Sequence, residues 1–251
     1  MRILVTNDDG IHAPGLLVAE KIAAALSADV WTVAPESDQS GVAHSLSLNE
    51  PLRLRDAGHQ RFAVKGTPTD CVIMALKHVM PSPPDLILSG INRGQNAAED
   101  VTYSGTVAAA MEGTILGIPS IAMSQCYGPG GRENIFWTCG EQHGPEMIRK
   151  ILAIGIEPGI LVNVNFPSCA PEDVQGVAVT HQGRRDASFL KIDAREDGRS
   201  IPYYWIGFTR SSFALGHGTD LEALSEKKIS VTPLRLNLTD EPSVTRFAAH
   251  F

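Results

Sequence analysis

Residues 2–10 constrain the fold more strongly than any other part of this sequence. Their apolar run, Ile3 to Val5, is followed within a few positions by Asp8, Asp9 and Gly10. A short apolar run of this kind predicts a buried parallel strand, and ligands bind at the carboxyl ends of such strands in open α/β sheets. Adjacent strand residues point to opposite faces, so the chain must leave the strand here if both carboxylates are to reach one ligand. Gly10 permits that turn.

Asp8 and Asp9 together suggest a divalent metal. Two neighbouring carboxylates repel each other and raise each other's pKa unless a cation lies between them, and no lysine or arginine adjoins them in the sequence. Taken alone, the pair is explained more simply as the cap of a following helix, interacting with its dipole. The rest of the sequence favours the metal.

Composition excludes several classes of protein. With 251 residues, 43% of them hydrophobic, the chain can bury a full core as one large domain or one domain with an appendage. The net charge of -7 disfavours a nucleic-acid polymer as the main partner, although a mononucleotide remains possible. We expect no membrane segment and no signal peptide, and therefore a cytoplasmic protein. The four cysteines show no CxxC spacing, which indicates reduced packing residues.

The first half of the sequence alternates between strand and helix patterns. Helical spacing of apolar residues follows Gly15, and residues 30–33 predict a second strand, which completes a βαβ unit. The polar loop after that strand is expected on the same edge of the sheet as Asp8, so Ser40 can lie near the carboxylates. A hairpin at residues 52–64, a helix capped by Thr69 or Asp70, and a core strand at residues 85–88 follow. The prediction is a Rossmann-like, mostly parallel sheet with flanking helices.

Two further stretches carry candidate binding residues. The loop at residues 89–96 contains Asn92 and Asn96, whose amide oxygens can bind a metal or join a phosphate network. A helix is predicted to begin at Ser104, Gly105 and Thr106, where free backbone N–H groups and two hydroxyls suit a phosphate. An isolated Ser-Gly-Thr would more often be an ordinary helix cap, and the P-loop lysine is absent.

Several sequence motifs occur in one order over nearly the whole chain. They are Val5-Thr6-Asn7-Asp8-Asp9-Gly10, Ser40-Gly41, Gly66-Thr67-Pro68-Thr69-Asp70-Cys71-Val72, Ser89-Gly90-Ile91-Asn92-Arg93-Gly94-Gln95-Asn96, Asp100-Val101-Thr102-Tyr103-Ser104-Gly105-Thr106-Val107, Asn163-Val164-Asn165-Phe166-Pro167, Gly218-Thr219-Asp220 and Ile229-Ser230-Val231-Thr232-Pro233-Leu234. Together they resemble the SurE family, the stationary-phase survival-protein-E nucleotidases. This ordered set is far more specific than any one motif.

The resemblance implies a cytoplasmic phosphatase that needs a divalent metal and acts on nucleoside monophosphates at the 5′ or 3′ position. It implies metal ligands at the positions of Asp8, Asp9, Ser40 and Asn92. It implies phosphate contacts at Asn96 and at the turn formed by Ser104, Gly105 and Thr106. One departure is Ala97-Ala98, where many members have a glycine after the second asparagine, which affects only the expected shape of that loop.

The chemistry of these ligands fits the implied activity. Two carboxylates, a hydroxyl and an amide oxygen are hard donors that favour magnesium or manganese. Such a metal can polarise phosphorus, lower the pKa of its water and hold both reactants in line, while Asp8 or Asp9 orients the attacking water. The turn after residue 103 would stabilise charge on the phosphate oxygens. No general acid is assigned, and His12, His44 and His181 are candidates only by their place in loops.

Beyond residue 167 the pattern changes. The strand at residues 161–165 is expected to complete the sheet of a catalytic core spanning residues 1–167. Residues 168–251 predict a β-rich extension with too few strands for a core of its own. Its consecutive Tyr203, Tyr204 and Trp205 suggest packing on another subunit of a homodimer or homotetramer, which the resemblance also implies. The alternative is that the extension folds back on its own domain.

Two rival functions are considered. A haloacid-dehalogenase-type phosphatase also begins with a strand and aspartates, but its nucleophile is the first Asp of a DxD pair, and the carboxylates here are adjacent. The chain could instead be a sensor that binds metal and nucleotide without turnover. A dinucleotide-binding module is disfavoured because no GxGxxG follows the first strand.

Overall fold

The computed structural model describes residues 1–185, 190–208 and 216–251. The strands in these ranges are β1 (Arg2–Thr6), β2 (Asp29–Pro35), β3 (Arg53–Gly58), β4 (Arg61–Lys65), β5 (Leu86–Arg93), β6 (Ser120–Gln125), β7 (Tyr127–Gly128), β8 (Gly131–Ile135), β9 (Ile160–Phe166), β10 (Val177–Val179), β11 (Leu190–Glu196), β12 (Pro202–Phe208) and β13 (Ile229–Arg235). The α-helices are α1 (Pro14–Ala24), α2 (Pro68–Met74), α3 (Asp100–Tyr103), α4 (Gly105–Ile115), α5 (Trp137–Ile154), α6 (Asp220–Ser225) and α7 (Glu241–Ala248).

A nine-stranded sheet forms the centre of the protein, in the order β10-β13-β9-β6-β5-β1-β2-β4-β3. Pairing is parallel from β9 through β6, β5, β1 and β2 to β4, which confirms the predicted mostly parallel α/β sheet. Strands β2, β4 and β3 lie on one side of β1, and β5 then pairs with β1 on its other side. The carboxyl ends of β1 and β5 therefore flank the point where strand order reverses, which is where open α/β sheets bind ligands.

Helices cover both faces of this sheet. On one face α1 and α5 pack over Ile3 and Val5 of β1, and on the other face α2 and α4 pack over Leu4. These three side chains are fully buried, as expected for a central strand with apolar groups on both faces. The apolar run predicted as a buried strand is thus the middle of the core.

The structure differs from the sequence-based expectations in five places. Residues 89–93, expected to lie in a loop, belong to β5. The strand at residues 160–166 does not complete the sheet, because β13 pairs antiparallel with it and β10 pairs with β13. The glycines and proline of residues 126–131 predict a loop, but these residues include β7 and the start of β8. The first hairpin is predicted to turn around Asp56-Ala57-Gly58, but it turns at residues 59–60, since β3 continues through residue 58. Helix α2 is capped by Thr67, whose hydroxyl accepts the Asp70 N–H at 3.1 Å in a capping box.

Two parts of the C-terminal region stand apart from the central sheet. Strands β11 and β12 form an antiparallel hairpin whose Tyr204, Trp205 and Ile206 are exposed. Helix α7 has no buried residue, and Val244 and Phe247 on it are exposed. Among the helices of the described ranges, none is long and apolar enough to cross a membrane.

Candidate active site

Asp8 and Asp9 lie where the chain leaves the carboxyl end of β1. Asp8 is buried, with 4% of its surface exposed, and Asp9 is partly buried. The Asp8 carbonyl accepts the Gln39 N–H at 2.8 Å, which ties the acidic pair to the loop after β2. The Asp9 Oδ2 accepts the Arg93 N–H at 3.0 Å, which ties it to the end of β5. The loop that carries Ser40 and the end of β5 that carries Asn92 are therefore both anchored on the acidic pair.

Gly10 allows the loop after β2 to lie close to the acidic pair. Its φ is +101°, and a Cβ at this position would lie 3.2 Å from the Ser37 carbonyl carbon. A side chain here would be strained in conformation and crowded by the neighbouring backbone. The expected turn at Gly10 is thus confirmed, and it brings the loop after β2 against the acidic pair.

The N-terminus of α4 packs directly against Asp8. A Cβ on Gly105 would lie 2.8 Å from the Asp8 Cβ and 3.1 Å from its Oδ2, so only glycine lets the helix come this close. The Thr106 hydroxyl donates a hydrogen bond to the Asp8 Oδ1. The Ser104 hydroxyl caps the helix by accepting the Val107 N–H at 3.0 Å. The Ser-Gly-Thr turn is therefore a helix cap and a neighbour of the acidic pair at once.

The electrostatics of the pair are those of a cation site. Burial, reinforced by repulsion from Asp9, raises the pKa of Asp8 from 3.8 to about 7, although the Thr106 hydroxyl lowers it. Burial also raises the pKa of Asp9, which the Arg93 backbone N–H and the guanidinium of Arg93 lower. Holding both groups ionised without a cation costs free energy, and a divalent metal removes that cost.

Ser40 and Asn92, the other two residues expected at the metal, are placed in different ways. Ser40 is exposed, and its hydroxyl donates to the Asp38 Oδ1 at 2.6 Å. The Asn92 Nδ2 donates to the Gly94 carbonyl at 2.7 Å, so its Oδ1 is the side-chain atom that could bind a metal. Within the described part of the chain, no three His, Cys, Asp or Glu side chains form a metal cluster. The donor set expected from the sequence, two carboxylates with a hydroxyl and an amide oxygen, would suit magnesium or manganese.

Asn96 is buried, with 6% of its surface exposed. Its Nδ2 lies 3.0 Å from the Ser124 Oγ. An asparagine amide carries two N–H donors, so the second one can donate to a phosphate oxygen. The strand register sets Ser124 beside Asn92 on β5 and beside Asn165 on β9, so these polar residues form one row across the carboxyl edge.

Comparison with known proteins identifies the family. The family model described as survival protein SurE matches residues 3–189. The chain is 69% identical over 252 residues to the 5′-nucleotidase SurE of Methylorubrum extorquens strain PA1, covering 100% of this chain and 99% of that protein. This chain belongs to the SurE family. It is also 66% identical to the 5′-nucleotidase SurE of Methylobacterium nodulans, with both chains fully covered.

A solved SurE structure has the same fold. The crystal structure of the SurE protein from Aquifex aeolicus is 39% identical to this chain and matches it with a TM-score of 0.84, covering 99% of this chain and 100% of that one. The sequence motifs and the tertiary structure thus lead to one family.

Two groups of residues near the site of this SurE chain have no role predicted from the sequence. Arg93 and Arg132 lie close enough for their charges to lower the pKa of Asp9, although neither adjoins it in sequence. Asn163 and Asn165 are fully buried on β9 and hydrogen-bond the backbone of Asn96. Asparagine in a buried strand is unusual, and that alone could have indicated a specific partner.

Two of the three histidines considered from the sequence, His44 and His181, make contacts of their own. His44 pairs with Glu112 of α4, with 3.0 Å between Nε2 and Oε2. The backbone of His181 forms an isolated bridge with Thr219. Neither contact gives the ring a place beside Asp8 or Asp9.

Proposed function

We propose that this chain is a divalent-metal-dependent phosphoric monoester hydrolase, a 5′-nucleotidase that releases phosphate from nucleoside monophosphates. The SurE relatives named 5′-nucleotidase, which match it over their whole length, support the activity. The observation that carries the proposal is the contact of Gly105 with Asp8. Through this contact the N-terminus of α4, where backbone N–H groups can bind an anion, lies against the acidic pair, which favours a cation. A metal-assisted phosphatase needs both features side by side.

Asp8, Asp9, Ser40 and Asn92 would hold the metal, which we take to be magnesium or manganese. When bound, the metal supplies Lewis-acid polarisation of the phosphate and a more acidic water. Asp8 is fixed in orientation by the Thr106 hydroxyl, and Asp9 by the Arg93 N–H. Either carboxylate can also orient the attacking water.

Ser104, Gly105, Thr106 and Asn96 would bind the phosphate. The Ser104 Oγ already accepts the Val107 N–H, so its own O–H can donate to a phosphate oxygen. The Thr106 hydroxyl donates to Asp8, so Thr106 would serve the phosphate through its backbone N–H. Gly105 lets the phosphate and the backbone approach closely.

In the reaction, a water attacks phosphorus and the bond from phosphorus to the ester oxygen breaks. The ester oxygen leaves as the nucleoside hydroxyl after taking up a proton, and inorganic phosphate remains. The helix N-terminus, whose donors are fixed before the substrate arrives, stabilises negative charge on the phosphate oxygens as the bond breaks.

The decisive experiment measures phosphate release from a substrate panel before and after chelation. The panel holds 5′-AMP, 5′-GMP, 3′-AMP, short polyphosphate and an aryl phosphate. We expect turnover to vanish on chelation and to return with magnesium or manganese, and to fall by orders of magnitude in Asp9→Asn. Full turnover by exhaustively metal-free protein would contradict the proposal.

Two alternatives give different results in the same assay. A metal-dependent nucleotide sensor would bind 5′-AMP tightly and release no phosphate. A haloacid-dehalogenase-type enzyme would form an acid-stable phosphoenzyme on an aspartate, which quenching during turnover with labelled substrate would trap. Neither labelled protein nor binding without turnover is expected here.

We also propose that the chain works as a homodimer or homotetramer, in which residues 168–251 contact another subunit while residues 1–167 carry the chemistry. Val244 and Phe247 share one exposed face of α7, and the hairpin β11–β12 exposes Trp205 and Ile206. Apolar groups at this density on two projecting elements indicate an interface. Light scattering should show an oligomer that Phe247→Asp or Ile206→Asp reduces in size, whereas Thr245→Asp, with the same new charge beside it, leaves the size unchanged.

A cytoplasmic location remains part of the proposal. All four cysteines are free and buried, which agrees with a reducing compartment.

A further inference from the structure

Residues 96–98, which follow β5 at the candidate site, are held by side chains at every backbone N–H and carbonyl group. Each group of this three-residue segment has a side-chain partner, and the partners of residue 98 and of the carbonyl of residue 97 come from beyond residue 180. Loop backbone is ordinarily satisfied by water or by its own turns. These hydrogen bonds restrict the backbone of residues 96–98 to a single conformation.

Asn165 on β9 holds the first residue of the segment. Its Oδ1 accepts the Asn96 N–H at 2.8 Å, and its Nδ2 donates to the Asn96 carbonyl at 3.1 Å. A second bond to that carbonyl comes from the Asn163 Nδ2 at 2.8 Å. All three asparagines are buried, so water does not compete for these bonds.

Asp220, at the start of α6, holds the other end of the segment. Its Oδ2 accepts the Ala98 N–H at 2.8 Å, while its Oδ1 accepts the N–H groups of Gly183 and Leu221, each at 2.8 Å. Asp220 has no exposed surface. One buried carboxylate therefore connects the C-terminal region to the loop that carries Asn96.

The conformation of Ala98 explains why such support is needed. Its φ is +53°, in the left-handed region that residues with a side chain disfavour. Residues held in such conformations persist only where the surroundings fix them. The Asp220 bond to the Ala98 N–H and the Gln182 bond to the Ala98 carbonyl, at 2.9 Å, provide that constraint.

We infer that Asn165 and Asp220 are positioning residues for the reaction, and that they set Asn96 for the substrate phosphate by fixing residues 96–98. This inference rests on the proposed function, because it takes Asn96 as a phosphate contact. Neither residue is among those proposed to bind the phosphate or the metal. Their effect on the reaction passes through the backbone of residues 96–98, and it gives the C-terminal region a role in the chemistry.

Asp220→Asn tests the inference with the least disturbance. The amide oxygen can keep the bonds to Gly183 and Leu221, but the amide N–H₂ then faces the Ala98 N–H, so only the bond to the loop is lost. Glu222→Gln is the matched control. Glu222 lies on the same helix, accepts a backbone N–H from Gly218 at 2.6 Å and does not contact residues 96–98.

The measurements are the inhibition constant for inorganic phosphate, KM and kcat for 5′-AMP, and the dissociation constant for Mn²⁺ alone. For Asp220→Asn we expect the inhibition constant and KM to rise about tenfold, the change that follows from losing one buried hydrogen bond, with Mn²⁺ affinity unchanged. Asn165→Leu, which keeps the branched shape but loses the polar atoms, should likewise raise the inhibition constant and KM without changing Mn²⁺ affinity. Glu222→Gln should match the wild type in all four values.

Several outcomes would overturn the inference. One is a folded Asp220→Asn protein with the phosphate inhibition and KM of the wild type. Another is an equal loss of Mn²⁺ affinity, which would mean that Asp220 supports the whole site rather than the phosphate contact. If Asn165→Leu fails to fold, Asp220→Asn alone decides. A wild-type protein that neither binds phosphate nor releases it from 5′-AMP would refute the proposed function itself. Failure of the proposed function is therefore seen in the wild type, and failure of the positioning role only in the variants.

Discussion

Replacing Asp8 by asparagine is expected to stabilise the metal-free protein at alkaline pH. Burial and the neighbouring Asp9 raise the pKa of Asp8 from 3.8 to about 7. The folded protein therefore binds the Asp8 proton more tightly than the unfolded chain does. The stability due to this proton is complete below about pH 3.8 and is lost as the pH rises to about 7.

The size of the effect follows from that shift. Raising a pKa by about three pH units corresponds to on the order of 4 kcal/mol, which the metal-free wild type loses between acid and alkaline pH. Asparagine does not ionise, and its Oδ1 can still accept the Thr106 hydroxyl. Asp8→Asn should thus exceed the wild type in free energy of unfolding by up to that amount at pH 8, and by little near pH 4.

Urea unfolding followed by tryptophan fluorescence, at one protein concentration and in the presence of a chelator, measures this difference across pH 4–8.5. Manganese should reverse the ranking, because it stabilises the wild type through ligands that Asp8→Asn has weakened. Asp56→Asn, at an exposed carboxylate on β3, is the control and should follow the wild type in its stability across this pH range. A gain in Asp8→Asn that is the same at pH 4 and pH 8 would refute the reasoning.

Three further predictions concern the backbone and hydroxyl groups around the site. Gly105→Ala places a Cβ 2.8 Å from the Asp8 Cβ, so turnover should fall at least about a hundredfold in steady-state assays while the protein stays folded by circular dichroism. Ala98→Gly relieves a positive φ and should raise the free energy of unfolding by about 0.5–1 kcal/mol in urea titrations; a loss of stability would show that the conformation is not strained. Thr106→Val removes a donor to Asp8 and should raise the pKa of Asp8 further, so the pH at which Mn²⁺ binding is half-maximal moves upward, whereas Thr106→Ser keeps it in place.

Much of the candidate site could be predicted because its residues follow the ends of strands. The apolar run before Asp8 and the pattern before Asn92 each predict a strand, and parallel strands end on the same edge of a sheet. The helix beginning at Gly105 was likewise evident from the spacing of apolar residues. These are local signals. The resemblance to the SurE family was what assigned them to one common site.

The partners of the loop at residues 96–98 could not be predicted in that way. Asn163 and Asp220 are 67 and 122 residues from the loop positions they bind, and no local pattern specifies which backbone group a buried amide or carboxylate will meet. The same holds for Arg132, whose charge reaches Asp9 only because β8 folds back beside the site. The placement of β13 beside β9 also depends on long-range pairing.

The sequence by itself thus determined the class of fold, the acidic pair and the helix that faces it, because periodicity and turn residues act over a few positions. Only the tertiary structure decided how tightly these parts meet. The close approach of Gly105 to Asp8, the raised pKa of Asp8 and the side chains that hold residues 96–98 all depend on burial. Burial is a property of the packed sheet and its helices, since it removes water from groups that lie far apart in the chain.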